Sequence, residues 1–116
     1  MEKPNQRVSI ALQYNVEYPD PINVKAGERV DVGREDDDFP GWKWCKASNG
    51  RAGWVPVELL LDEGGEAIVS QNYSARELEV RPGEEVVVED ARHEWLLVRN
   101  ANGERGWIPA SHTRKP

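Results

Sequence analysis

Few residues in this chain are suited to covalent chemistry. Cys45 is the only cysteine, which excludes an internal disulfide framework and any multi-cysteine zinc site. No neighbour in sequence would activate its thiol, so a buried structural role is the reading, over a reactive one. His93 and His112 stand 19 residues apart, and neither accompanies a serine or cysteine nucleophile motif. Each reads as a surface-loop histidine. Gly64-Gly65 lacks the lysine and following helix of a phosphate-cradling loop. No enzymatic activity, cofactor or metal site is therefore expected. The residues that remain are suited to binding. There are five tryptophans, Trp42, Trp44, Trp54, Trp95 and Trp107, and an acidic run, Glu35, Asp36, Asp37 and Asp38. An indole offers a broad apolar face and one N–H donor. Carboxylates beside it suit a guanidinium, through charge-assisted hydrogen bonds and cation–π attraction. The plain alternatives are core packing for the tryptophans and a solvated turn for the acids.

Composition narrows the partner. Net charge is 15 − 21 = −6, which disfavours general nucleic-acid binding, since that usually needs a basic face. A hydrophobic share of 38% is too high for a disordered chain. No apolar run approaches the ~18 residues of a membrane span. The polar N-terminal stretch leads into no signal-type segment. The expectations are a cytoplasmic protein with no membrane and no small-molecule substrate.

The elements that must position these residues come in two copies. Gly-Trp-Val-Pro at 53–56 returns as Gly-Trp-Ile-Pro at 106–109, Asn49-Gly50 as Asn102-Gly103, and Trp42 as Trp95, all at an offset of 53. Upstream, Ala11, Val24, Gly27, Glu28, Val30 and Val32 match Ala67, Val80, Gly83, Glu84, Val86 and Val88 at an offset of 56. One three-residue length change, in the acidic loop 34–41, accounts for the difference. The predicted modules are residues 1–62 and 63–116, joined at about 62–66 by Asp62-Glu63-Gly64-Gly65-Glu66. Charge divides as 8 − 11 = −3 and 7 − 10 = −3.

Within each copy, short segments alternate apolar and polar residues: Arg29-Val30-Asp31-Val32, Trp42-Lys43-Trp44-Cys45-Lys46, and their counterparts at 85–88 and 95–99. That period marks half-buried strands. Both Asn-Gly pairs signal tight hairpins, and Pro56 and Pro109 end strands. The prediction is all-β, with about five short strands per copy. Antiparallel strands at this size close most economically into a small barrel, which removes exposed edges.

Each copy resembles a Src-homology-3 (SH3) domain. The family's opening Ala-Leu-Tyr-Asp-Tyr stretch is similar to residues 11–15 and 67–71. Its hydrophobic pair and basic-glycine turn resemble residues 22–28 and 78–84. The resemblance implies two tandem five-stranded SH3-like barrels. It also implies a groove in which a proline-rich peptide, pre-extended as a polyproline II helix, lays its prolines between flat rings. Trp42 and Trp95 match the family's groove tryptophan, Trp54 and Trp107 its later aromatic, and Pro56 and Pro109 the groove floor. The last groove tyrosine corresponds to Leu59 and His112. The two tyrosines of the opening motif correspond to Gln13 and Asn15, and to Val69 and Gln71. Tyr14, Tyr18 and Tyr73 are the nearby rings that could rebuild such slots, or are incidental surface residues. Asp36, Asp37 and Asp38 match the loop that flanks the pocket for a basic ligand residue, and Glu77 matches the acidic position before the family's leucine.

The expected function is thus a non-enzymatic module that binds a protein or peptide partner through a proline-rich or basic segment. A structural or regulatory subunit docked on a larger enzyme is the alternative. A cell-wall or glycan-binding module ranks third, and a methyl-lysine or methyl-arginine cage fourth.

Overall fold

The computed structural model describes residues 6–62 and 64–114. The N-terminal residues 1–5 and Glu63 of the joint lie outside the described residues. The chain is all-β, and the described residues form twelve strands: β1 (Gln6–Ile10), β2 (Asn23–Val24), β3 (Arg29–Glu35), β4 (Trp42–Ala47), β5 (Ala52–Pro56), β6 (Leu60–Asp62), β7 (Glu66–Val69), β8 (Tyr73–Ser74), β9 (Glu85–Arg92), β10 (Trp95–Arg99), β11 (Arg105–Pro109) and β12 (Thr113–Arg114). One 3-10 turn follows each motif proline, at Val57–Leu59 and Ala110–His112.

The alternating segments form β3 and β4 of the first copy and β9 and β10 of the second, as predicted, and the Gly-Trp-aliphatic-Pro segments form β5 and β11 beside them. Inward positions of the second copy, Val86, Val88, Leu96, Val98 and Ile108, are almost fully buried. In the first copy Val30, Cys45, Ala47 and Val55 are buried likewise. The Cys45 thiol is therefore a core group; its Sγ–H donates to the Lys43 carbonyl at 3.6 Å.

The two five-stranded sheets are not assembled repeat by repeat. One has the order β11-β10-β9-β1-β12 and the other β5-β4-β3-β7-β6. The first strand of each copy lies between strands of the other copy. Val8 of β1 pairs with Val86 of β9, and Ala67 of β7 pairs with Val30 of β3. The compact units are accordingly Met1–Pro19 with Glu77–Pro116 (unit 1) and Asp20–Arg76 (unit 2). The predicted boundary, 1–62 and 63–116, marks the sequence repeats, whereas the compact units divide the chain inside the first long loop of each repeat. In topology unit 2 is a circularly permuted barrel, inserted at that loop of unit 1.

The joint explains the exchange. Leu60 pairs with Val69, Leu61 with Ile68, and Asp62 with Ala67. Between β6 and β7 stand Gly64 and Gly65, at φ +72° and +91°, a region that favours glycine. So short a connection makes β6 and β7 a local hairpin. β7 then fills the slot beside β3, and β1 takes the equivalent slot beside β9.

The pairing also corrects the alignment of the copies. Val30 and Val86 are 56 apart, but their partners Ala67 and Val8 are 59 apart. Val8, not Ala11, is the counterpart of Ala67, and the first long loop of copy one carries a second three-residue extension. The positions of the family's two opening tyrosines therefore fall at Ile10 and Leu12, rather than Gln13 and Asn15. Tyr14, which pairs with Val80, becomes the counterpart of Tyr73, which pairs with Val24.

Candidate functional site

In unit 1, β10 and β11 place Trp95 directly opposite Pro109 and Leu97 opposite Trp107. A two-residue turn, His93 and Glu94, leads into Trp95, and both residues have positive φ (43° and 73°). Trp95 is half-buried, whereas Trp107 is only 5% exposed. The 3-10 turn after Pro109 brings up His112. Tyr14 joins these second-repeat residues from the first repeat. Its ring lies edge-on to Trp95, with centroids 5.7 Å apart, and edge-on to His112 at 5.6 Å. Edge-to-face pairs at such distances are favourable by about 0.5–1.5 kcal/mol each.

Glu77 holds this arm in place. Its Oε2 accepts the Tyr14 hydroxyl at 2.6 Å, and its Oε1 accepts the backbone N–H groups of Glu17 (2.7 Å) and Tyr18 (3.1 Å). Both carboxylate oxygens are therefore engaged within the unit, and the residue is buried. Burial pushes the Tyr14 phenol well above its ordinary range, and the Glu77 hydrogen bond and charge reinforce the shift. Further along, the N–H groups of Ala11 and Leu12 both donate to the His112 carbonyl, at 2.8 and 3.2 Å. The Nδ1 of His112 is buried and has no hydrogen-bond partner among the described residues. The same unit carries a separate ion cluster, in which Glu89 accepts from Arg105 and Arg99. Partial burial pushes the Glu89 carboxyl up, but the two arginines outweigh it and hold it below the usual carboxylate range.

Unit 2 presents the matching residues differently. Trp42 lies opposite Pro56, but it is only 5% exposed, and Leu59 at the groove-tyrosine position is buried. The half-buried indoles are Trp44 and Trp54. They pair across β4 and β5 with centroids 5.0 Å apart, and the Arg34 guanidinium sits 5.3 Å above the Trp54 ring. The Tyr73 hydroxyl donates to the Trp54 carbonyl at 2.7 Å. The acidic run closes the loop before Trp42. Asp36 donates its N–H to the Trp42 carbonyl and accepts the Asp38 N–H on its side chain, while Glu35 accepts from Gly41. Asp37 and Asp38 are exposed.

The predicted site residues thus divide into two sets. Glu77, Trp95, Trp107, Pro109 and His112 stand in unit 1; Trp42, Trp54, Pro56, Leu59, Asp36, Asp37 and Asp38 stand in unit 2. The one-indel alignment puts Tyr14 at a non-groove position. Its identity with Tyr73 at an offset of 59 was the signal available. Among the described residues no cluster of His, Cys, Asp and Glu is arranged to hold a metal ion, and no helix is long and apolar enough to cross a membrane.

Fold and surface define a class: paired small all-β barrels of the kind that generally serve as protein-interaction modules and are typically non-catalytic. The variant SH3 domain family model matches the chain twice, over residues 13–61 and 67–115, and the chain belongs to that family. No curated protein and no solved structure matched it.

Proposed function

We propose that unit 1 is the ligand-reading half of a two-barrel interaction module, and that it takes an extended peptide containing proline and a basic residue. The observation that carries this reading is the half-open Trp95 ring, edged by Tyr14, which also meets His112, and paired in strand register with Pro109. Such a surface accepts a polyproline II segment at little entropic cost, because the peptide is already extended.

A second reading applies to unit 2. Its groove tryptophan is closed and its leucine is buried, while Trp44 and Trp54 are half-open. That favours docking on a larger protein over reading a proline motif.

The test is an amide-shift titration of the full chain with proline-rich peptides, with and without arginine. Trp95→Leu, which keeps apolar bulk, is expected to weaken binding by about ten-fold or more. Trp42→Ala is expected to destabilise unit 2 by about 3–5 kcal/mol yet leave peptide-induced shifts around Trp95. Wild-type affinity in Trp95→Leu would contradict the assignment.

A further inference from the structure

We propose that Arg7, Arg99 and Arg105 form a carboxylate-binding row on the outer sheet face of unit 1, oriented by Glu89, and that its occupant is an extended acidic segment of a partner protein. The row is a second site, apart from the Trp95 surface and opposite to it in the charge it selects.

Strand register builds the row. Arg7 of β1 stands opposite Val87 of β9, Val87 opposite Arg99 of β10, and Arg99 opposite Arg105 of β11. Residues directly opposite one another share a face of the sheet. Their chain neighbours Val8, Val86, Val88 and Val98 are buried in the core, so this face is the outer one. All three arginines are exposed, and Val87 is half-buried between them. With strands about 4.8 Å apart, the row spans about 14 Å. An extended segment repeats its side chains on one side every ~6.8 Å. Carboxylates two and four residues apart therefore match the row.

Glu89 gives the row its chemistry. Its two oxygens accept the Nε–H of Arg99, at 3.1 Å, and the Nε–H of Arg105. One carboxylate thus holds two guanidiniums side by side, with one positive charge left over. Among the described residues Glu89 is the partner of both, and their side chains remain 43% and 58% exposed. Each guanidinium carries five N–H donors, so one carboxylate leaves most of them for an incoming anion.

Two observations favour a ligand over strand cohesion. Unit 2 forms the equivalent strands without the cluster: Gly33, Lys46 and Ala52 stand where unit 1 has Glu89, Arg99 and Arg105. The barrel closes without it, and exposed ion pairs add little to stability. Charge also runs against the trend of the unit. The described residues of unit 1 sum to 6 − 9 = −3. On this face Arg7, Arg99, Arg105 and Arg114 stand with Glu85 and Glu89, 4 − 2 = +2. Arg92 and Asp90, bonded to each other, leave that sum unchanged. A local positive row on a negative unit attracts a short acidic segment and repels a long polyanion such as a nucleic acid.

The experiment titrates the full chain with a peptide of alternating aspartate and serine, and with its asparagine counterpart, following amide and arginine Nε–H signals. The aspartate peptide is expected to shift the Nε–H of Arg99 and Arg105 and the nearby amides of β9–β11, and the asparagine peptide to shift neither. Arg99→Lys/Arg105→Lys keeps the charge but loses the planar fork. It should weaken binding by about five-fold or more, with spectral dispersion unchanged because both positions are exposed. Arg7→Gln, away from Glu89, should weaken it by about two-fold or more, and Trp95→Leu should leave it within about two-fold. Wild-type affinity in the lysine variant or in Arg7→Gln, or equal shifts with the asparagine peptide, overturns the row. Shifts centred on the Trp95 indole and lost in Trp95→Leu would place the acidic peptide at the other site and overturn it too. Shifts at Arg99 and Arg105 that grow with protein concentration alone, and vanish in Asp37→Asn/Asp38→Asn, would make a second copy of this chain the occupant and overturn the partner assignment.

Discussion

Tyr14 is held by backbone pairing with Val80 and by the Glu77 carboxylate, and the second dependence can be read as a function of pH. Its phenol is held above the ordinary value of 10.0 by burial first, and then by Glu77. A group whose folded pKa lies above its unfolded pKa lends stability that is fully present below the unfolded value and is lost as pH rises beyond it. Tyr14→Phe removes the hydrogen bond to a charged group, and is expected to cost about 1–2 kcal/mol near neutral pH. Between pH values of about 10 and 12 that gap should close, because only the wild type must keep a phenol protonated. Urea midpoints of both proteins across this range check it; a gap that stays constant would mean the hydroxyl is not held as described. At the same scale, Glu77 shows how a residue type can be right and its role different. Its position before Leu78 suggested a carboxylate facing a basic ligand, yet both oxygens are taken by Tyr14, Glu17 and Tyr18.

Among the elements, the Gly-Trp-aliphatic-Pro segment shows why its glycine matters in both copies. A Cβ on Gly106 would lie 2.6–2.8 Å from backbone atoms of Glu77 and Leu78, which cannot give way without moving the arm that Glu77 anchors. A Cβ on Gly53 would meet Ile22 Cγ2 at 3.0 Å and Ala75 Cβ at 3.1 Å, with the Ile22 nitrogen at 3.3 Å. Gly106→Ala is therefore expected to destabilise unit 1 by about 2–4 kcal/mol, and Gly53→Ala to cost unit 2 less. Thermal denaturation of the two variants gives the order, and the reverse order would contradict the close approach at Gly106. The repeat and its three central strands were legible in sequence because alternation, Asn-Gly turns and motif prolines are local signals. The strand exchange was not. Val8 and Ala67 are both small apolar residues that fit either barrel, so local pattern does not choose between them. The choice falls to the length of the 62–66 joint, and only the hairpin it forms reveals that length as decisive. The identity of Ala11 with Ala67 favours an alignment three residues out of step with the strand pairing, in which Tyr14 does not correspond to Tyr73.

For the whole molecule, the exchange means that a lesion in one repeat should appear in the barrel of the other. Ile10 is 3% exposed and packs in the core of unit 1, with Leu78, Val86 and Ile108 of the second repeat. Ile10→Ala is expected to destabilise that core by about 2–4 kcal/mol. Hydrogen exchange should then quicken in β9, β10 and β11, while β3, β4 and β5 keep their protection. Loss of protection in β3–β5 instead would place Ile10 in its own repeat's barrel. The Trp95 surface inherits the same dependence, since its Tyr14 neighbour arrives from the far end of the sequence. The most direct measurement is a set of ring-to-ring NOEs for Tyr14 in the full chain, with the aromatic residues selectively labelled. Cross-peaks from Tyr14 to Trp95 and His112 are expected, since the ring centroids lie 5.7 and 5.6 Å apart. Cross-peaks from Tyr14 to Trp42 in their place would show that each repeat closes on itself, and would contradict both the exchanged fold and the proposed Trp95 site.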